Sequence, residues 1–186
     1  MAQVQQTTTA WTIDEHPNPD KVYDWVRDNW HDLYGWGDEN RESLEEFCKA
    51  FSLYDLDWEV SLCGPSHAKA KLPHTFASGE LDEDVMLAEI SGARLVLHLY
   101  ENYAHLLDGD CPFTGYCFDE SLLDPIREYL KGGDDATTFQ TLIDRCLDAW
   151  ASAYVADWEY QYTDEGIRDH LECNEYYFTE EGKFLC

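Results

Sequence analysis

Basic residues are scarce in this chain. Lys and Arg number 12 in 186 residues, against 39 Asp and Glu, which gives a formal net charge of −27 with histidine neutral. The sequence pI is near 4.2. A surface of this sign repels phosphate, which argues against direct binding of nucleic acid or of an anionic membrane. Long apolar runs are missing too. No stretch of ~18 apolar residues occurs, so no membrane-spanning helix is expected. Met1–Ala10 (MAQVQQTTTA) lacks the basic start and apolar stretch of a secretory leader, so a cytoplasmic location is expected. The seven cysteines contain no CxxC pair. An odd count with no leader does not make a disulfide framework. Cys111 and Cys117 frame CPFTGYC, a wider spacing than the two to four residues that structural zinc sites favour. Reduced, mostly buried thiols are expected, with Cys186 terminal and exposed.

Catalytic signatures are absent as well. There is no GxSxG, Walker loop, GxGxxG, HExxH or EF-hand loop. The histidines are scattered at 16, 31, 67, 74, 98, 105 and 170. His31-Asp32 is an isolated dipeptide without a further ligand set, and His98 and His105 suit helix contacts better than a metal. The expectation is a protein without catalytic residues, metal or cofactor.

What is present suits a folded chain. Apolar residues make up 44 % and aromatics 15 %, ample for a core, so the charge does not signal disorder. The reading is a predominantly helical α+β single domain with one or two small β-hairpins, over 13–186, after a flexible segment at 1–12. Asn18 and Pro19 open a helix expected to run to Leu33, with Val22, Trp25, Val26, Asn29, Trp30 and Leu33 inward and Gly35 and Gly37 stopping it. A second helix, capped by Asn40, is expected over 41–51 with Leu44, Phe47, Cys48 and Phe51 inward. Trp58, Val60 and Leu62 alternate with polar residues. Gly64-Pro65-Ser66 turns the chain and 67–72 alternates again, which reads as a hairpin.

Within 82–107, the stretch 87–107 (LAEISGARLVLHLYENYAHLL) is apolar almost all round. A buried helix starting at Asp82 or Asp84, with Met86, Ile90, Ala93, Leu97, Tyr100, Ala104 and Leu107 as its stripe, is favoured over a strand at 93–99. Ser121 or Asp124 is expected to cap a short helix with Pro125 in its first turn, ending at Gly132-Gly133. Thr137 and Gln140 form a capping-box pattern. Phe139, Leu142, Ile143, Cys146, Leu147, Trp150 and Tyr154 follow on one helical face. A last helix over 164–173, ended by Asn174, precedes a closing hairpin of 176–178 with 183–185.

The acids are clustered. Residues 14–46 hold eleven acids against three basic residues, 108–135 hold eight against Arg127 and Lys131, and 157–181 hold nine against Arg168. This exceeds the net charge of magnitude ~2–8 that suffices for solubility, and crowded like charges oppose the compact state. Asp20, Asp24, Asp28 and Asp32 recur every four residues on the first helix, about 6 Å apart along its axis. Like charges at this spacing weaken a helix, so local stability does not explain them. A DNA strand also presents negative groups at short regular intervals, about 3.4 Å per phosphate along the axis. The row therefore suits mimicry of a phosphate backbone as well as a simple solvated face. Trp158, beside Glu159, suits an interface anchor flanked by acids.

Three stretches, 12–34 (TIDEHPNPDKVYDWVRDNWHDLY), 110–130 (DCPFTGYCFDESLLDPIREYL) and 158–184 (WEYQYTDEGIRDHLECNEYYFTEEGKF), resemble acidic accessory proteins of phages, prophages and other mobile elements, some of them antitoxin-like. The resemblance implies a bacterial host cytoplasm and a part in conflict between element and host. It transfers no functional residue. The expected partner is the basic nucleic-acid-binding surface of a host defence complex, such as a CRISPR effector or a restriction enzyme. The expected contacts are Asp20, Asp24, Asp28 and Asp32, with Trp158, Glu159, Asp164, Glu165, Asp169 and Glu172 as a second patch. The alternative is an antitoxin or immunity protein that neutralises a basic toxin.

Overall fold

Val22, Tyr23 and Val26 fall on one side of a helix that Pro19 can start and that Asn29 ends, and their burial makes α1 (Pro19–Asp28). The computed structural model describes residues 9–29, 38–75 and 85–185. Trp30, Leu33, Gly35 and Gly37, and with them the expected end of the first helix, lie outside the described residues. The further elements are α2 (Asp38–Ala50), β1 (Tyr54–Glu59), β2 (His67–Lys71), a 3₁₀ turn (Leu87–Glu89), α3 (Gly92–Leu107), α4 (Cys117–Gly132), α5 (Phe139–Gln161), α6 (Asp164–Cys173), β3 (Tyr177–Phe178) and β4 (Phe184–Leu185). The fold class is predominantly helical α+β with two small antiparallel hairpins. The chain divides into two compact units. A terminal unit combines Met1–Trp36 with Asp157–Cys186, and a central unit spans Gly37–Ala156.

The central unit is built around α5. All seven residues expected on its inner face are buried, from Phe139 to Tyr154. Trp150 meets Trp58 of β1 edge to face, with ring centroids 5.6 Å apart, and donates its Nε1–H to the Asn40 carbonyl at 2.9 Å. Asn40 is therefore a buried residue inside α2 and not its cap, because the helix starts two residues earlier. Phe47 and Phe51 meet at a tilt with ring centroids 4.6 Å apart, and Phe51 stacks on Tyr103 of α3 at 4.3 Å.

The first hairpin is shifted from its expected place. It begins at Tyr54 and ends at Glu59, with Trp58 opposite Ala68 and a register irregularity between Tyr54 and Asp57. Ser61 and Ser66 close the connection through the Ser66 hydroxyl, which accepts from the Ser61 amide at 3.0 Å and donates to its carbonyl at 3.2 Å. Val60 and Leu62 are thereby drawn out of the ladder, and Leu62 is left exposed. The expected capping box at Thr137 and Gln140 does not form. Gln140 instead reaches β2, accepting from the Leu72 amide and donating to the Ala70 carbonyl, both at 3.0 Å. Its amide stands in for a neighbouring strand at that edge. The Thr138 hydroxyl accepts from the Thr141 amide in place of the box.

Residues 93–99 are helical, but α3 starts at Gly92. Before it, the Ile90 carbonyl accepts from the Phe139 amide at 2.9 Å and Ser91 bridges Thr138, which ties 90–91 to the start of α5. Asp82 and Asp84, the expected start, lie outside the described residues. The buried side chains of α3 are Leu95 and Leu99, whereas Ala93, Leu97 and Tyr100 of the expected inward stripe are exposed.

The helix α4 also starts earlier than expected, at Cys117, leaving Pro125 in its interior. The reason is Asp119, whose side chain is fully buried. One carboxylate oxygen accepts from the backbone N–H groups of Phe113, Thr114 and Gly115, at 2.8, 2.7 and 3.2 Å. The other accepts from the Thr114 hydroxyl at 3.0 Å. The loop is thus wrapped around the first turn of α4, and Phe118, Leu122, Leu123 and Ile126 are drawn inward. Burial alone raises the carboxyl's pKa, yet the hydrogen bonds from Thr114 and Phe113, with the Ser43 hydroxyl close by, prevail and hold it below the usual value.

Candidate acidic interface

The terminal unit has a small core of its own. Ile13, Val22, Tyr23, Val26, Ile167, Leu171 and Phe178 are buried together, with Trp25, Tyr162, Tyr176 and Phe184 packed against them. Helix α6 matches its expected bounds. The Thr163 hydroxyl caps it by accepting from the Gly166 amide at 3.0 Å, and Asn174 closes it. The closing hairpin also forms, with Tyr177 opposite Leu185 and Phe178 opposite Phe184. Phe178 carries a further partner. Trp11 exchanges both backbone hydrogen bonds with it, at 3.0 and 2.8 Å, so the segment expected to be flexible through residue 12 is tied down at Trp11.

With their apolar sides turned inward, α1 and α6 leave their acids outside. Asp20, Asp24 and Asp28 are exposed on α1, and Asp164, Glu165, Asp169 and Glu172 on α6. Glu159 is exposed at the end of α5 and Trp158 beside it is half-buried. Asp32 lies outside the described residues. The two expected patches therefore belong to one unit, on two helices that pack against each other. The charge is concentrated there. The described residues of the terminal unit hold 14 acids and 4 basic residues in 50 positions, whereas those of the central unit hold 20 and 8 in 110.

Some of these acids have cationic partners, which the sequence alone did not reveal. Arg27 of α1 is ion-paired to Asp164 at the start of α6, donates its Nε–H to the Tyr162 carbonyl at 3.3 Å, and lies 3.9 Å from Asp24. Arg168 of α6 is ion-paired to Asp14, lies 3.8 Å from Glu172, and donates to the Tyr23 hydroxyl at 3.1 Å. The two arginines cross-link α1 and α6 in opposite directions. The available signal was Arg168, the one basic residue in 157–181. The Tyr160 hydroxyl donates to Asp169 at 2.6 Å, and this bond to a carboxylate pushes the tyrosine pKa up to about 12. Asp20, Asp28, Glu159 and Glu165 make no ion pair among the described residues.

A groove of about 290 Å³ lies in the same unit. Ile13 and Leu171 contribute its apolar lining, and Asp14, Glu172, Glu175 and Tyr177 contribute polar groups. Among the described residues, no group of three or more His, Cys, Asp or Glu is placed to hold a metal ion. No helix among them is long and apolar enough to cross a membrane. Comparison with family models, with curated proteins and with solved structures finds no match.

Proposed function

We propose that this chain is a non-enzymatic inhibitor of phage or mobile-element origin that acts in the cytoplasm of a bacterial host. It covers the basic nucleic-acid-binding surface of a defence complex, a CRISPR effector or a restriction enzyme, with carboxylates in place of DNA or RNA phosphates. The observation that carries this reading is the exposed row Asp20, Asp24 and Asp28 on α1, in the unit where acids are densest. Each i,i+4 acid pair costs the helix a few tenths of a kcal/mol, which a solvated face does not require. Of the expected contact acids among the described residues, Asp20, Asp28, Glu159 and Glu165 are exposed and make no ion pair, so they are open to Lys and Arg of a partner. The groove at Glu175 and Tyr177 suits one such side chain, through its carboxylates and the face of a tyrosine. Association is steered by the long-range field and weakens as salt screens it.

The test is a pull-down from bacterial host lysate with the tagged protein at low and high salt. The expected catch is a nucleic-acid-binding defence complex, released by added DNA or RNA and by salt. A variant with Asp20→Lys, Asp24→Lys, Asp28→Lys and Glu165→Lys should lose it. Undiminished capture by that variant would sink the proposal. The alternative, an antitoxin or immunity protein, is favoured by Tyr160 and Tyr177, which are exposed beside the acids. Its mark would be one small basic protein retained through high salt.

A further inference from the structure

We propose that Cys111 and Cys117 form a redox modification site, where a small neutral peroxide converts the two thiols to a disulfide that clasps the loop at the start of α4. The spacing of CPFTGYC is too wide for a structural zinc site, but a disulfide sets no limit on spacing along the chain. It requires the two Cα atoms to lie about 4.4–6.8 Å apart.

The loop is tied to α4 on both sides of Cys111. Arg127, further along the helix, donates to the Gly109 carbonyl. Asp119, in its first turn, gathers the N–H groups of Phe113, Thr114 and Gly115. The chain between these ties is held along the start of α4, whose first residue is Cys117. The Cys111 thiol lies within electrostatic range of Cys117, Asp119 and Glu120. The residues between the two thiols are anchored to α2 as well. The Thr114 hydroxyl meets that of Ser43 at 2.8 Å, and Phe113 meets Phe47 edge to face with ring centroids 5.9 Å apart. Gly115, at a φ of +86°, turns the chain back towards Cys117. Much of the entropy that closing this ring would cost is therefore lost already on folding.

The two thiols differ in their surroundings. Cys117 is exposed and Cys111 is half-buried. Burial, and then Asp119, Glu120 and Asp110, raise the pKa of the Cys111 thiol. Cys117 therefore reacts first. Its sulfur attacks the peroxide, the O–O bond breaks, an S–O bond forms, and water leaves behind a sulfenic acid. The Cys111 sulfur then attacks that of Cys117. The S–S bond forms, the S–O bond breaks, and the departing hydroxyl takes the Cys111 proton as a second water. Two thiols have given two electrons and two protons to one peroxide. Nearness offsets the small thiolate fraction of Cys111. The same acids repel anionic oxidants such as oxidised glutathione, so the substrate class is a neutral peroxide.

The test treats the full chain with hydrogen peroxide, blocks the remaining thiols with iodoacetamide and digests it with trypsin. The peptide 95–127 carries Cys111 and Cys117 and no other cysteine. It should appear unblocked and lighter by two hydrogens, and dithiothreitol should restore both thiols. Oxidised glutathione at the same concentration should act about tenfold more slowly or less. Cys111→Ser should stop at a sulfenic acid on Cys117, which dimedone traps, and Cys117→Ser should slow the loss of the Cys111 thiol about tenfold. A peptide with both cysteines blocked, under conditions that oxidise the exposed Cys63 and Cys173, would overturn the proposal. So would Cys117 recovered only in disulfides between chains. None of these variants touches the acids of α1 or α6, so the outcome is independent of whether a defence complex is captured.

Discussion

Replacing Asp119 by Asn removes one charge from the centre of the loop that opens α4 and changes almost nothing in shape. Three backbone N–H groups, from Phe113, Thr114 and Gly115, converge on one oxygen. Hydrogen bonds to a charged acceptor contribute ~1.5–3 kcal/mol each and neutral ones ~0.5–1.5, so each of the three weakens by about 1 kcal/mol. The asparagine escapes the cost of burying a charge, which returns part of that loss. The carboxyl pKa is nevertheless held low, so the hydrogen bonds outweigh the burial. The net expectation is a loss of about 2 kcal/mol at pH 7. For a chain of this size that is a fall of about 4–8 °C in Tm. Ala at the same position leaves three N–H groups of a half-buried loop without their acceptor and should cost about 3 kcal/mol.

The pH dependence is the sharper part. A carboxyl whose pKa is lower in the folded than in the unfolded chain contributes stability above the unfolded value, ~3.9, and loses it as pH falls through the folded value. The gap between wild type and Asp119→Asn should therefore be full at pH 7 and shrink progressively below pH ~4. Urea unfolding of both proteins at pH 7, 5, 4 and 3 measures it. An asparagine variant within ~0.5 kcal/mol of wild type at pH 7 would refute the reasoning, as would a gap that does not change with pH.

Three further outcomes are expected. Gly166→Ala would place a Cβ 2.2 Å from the Tyr160 carbonyl, so it should destabilise the terminal unit by more than ~2 kcal/mol. Loss of Trp11 and Phe178 amide protection in hydrogen exchange would report it. Gln140→Ala should cost about 1–3 kcal/mol and speed exchange of the Leu72 amide, which loses its acceptor. Burial lowers the pKa of His98 and of His170, so both favour the folded chain above the unfolded value of ~6.5 and lose that contribution as pH falls through their folded values. The fall in urea midpoint between pH 7.5 and pH 5.5 should accordingly be smaller in a His98→Gln variant than in wild type.

Local chemistry was readable where one period or one cap decided the matter. The α5 stripe from Phe139 to Tyr154, the bounds of α6 and the closing hairpin all needed only neighbouring residues. So did the exposure of the α1 acids, because Val22 and Val26 set which side turns inward. The expected inward row on α3 was misplaced because that helix is apolar nearly all round. Its periodicity identifies a face without saying whether the core lies beneath it. Phe51 and Phe139, which meet Tyr103 and His98 from outside the helix, choose the side of Leu95 and Leu99.

The sequence by itself determined the charge, its clusters, the helical class and the turn chemistry at Pro19, Thr163 and Asn174, since each rests on composition or on contacts a few residues long. Only the tertiary structure decided which acids keep a cation. Arg27 and Asp164 are 137 residues apart in the chain, and Arg168 and Asp14 are 154 apart. The same holds for Gln140 at the edge of β2 and for the Asn40 carbonyl beneath Trp150, 110 positions away. A polar side chain takes whichever partner folding brings within ~3 Å, and no local pattern encodes that choice.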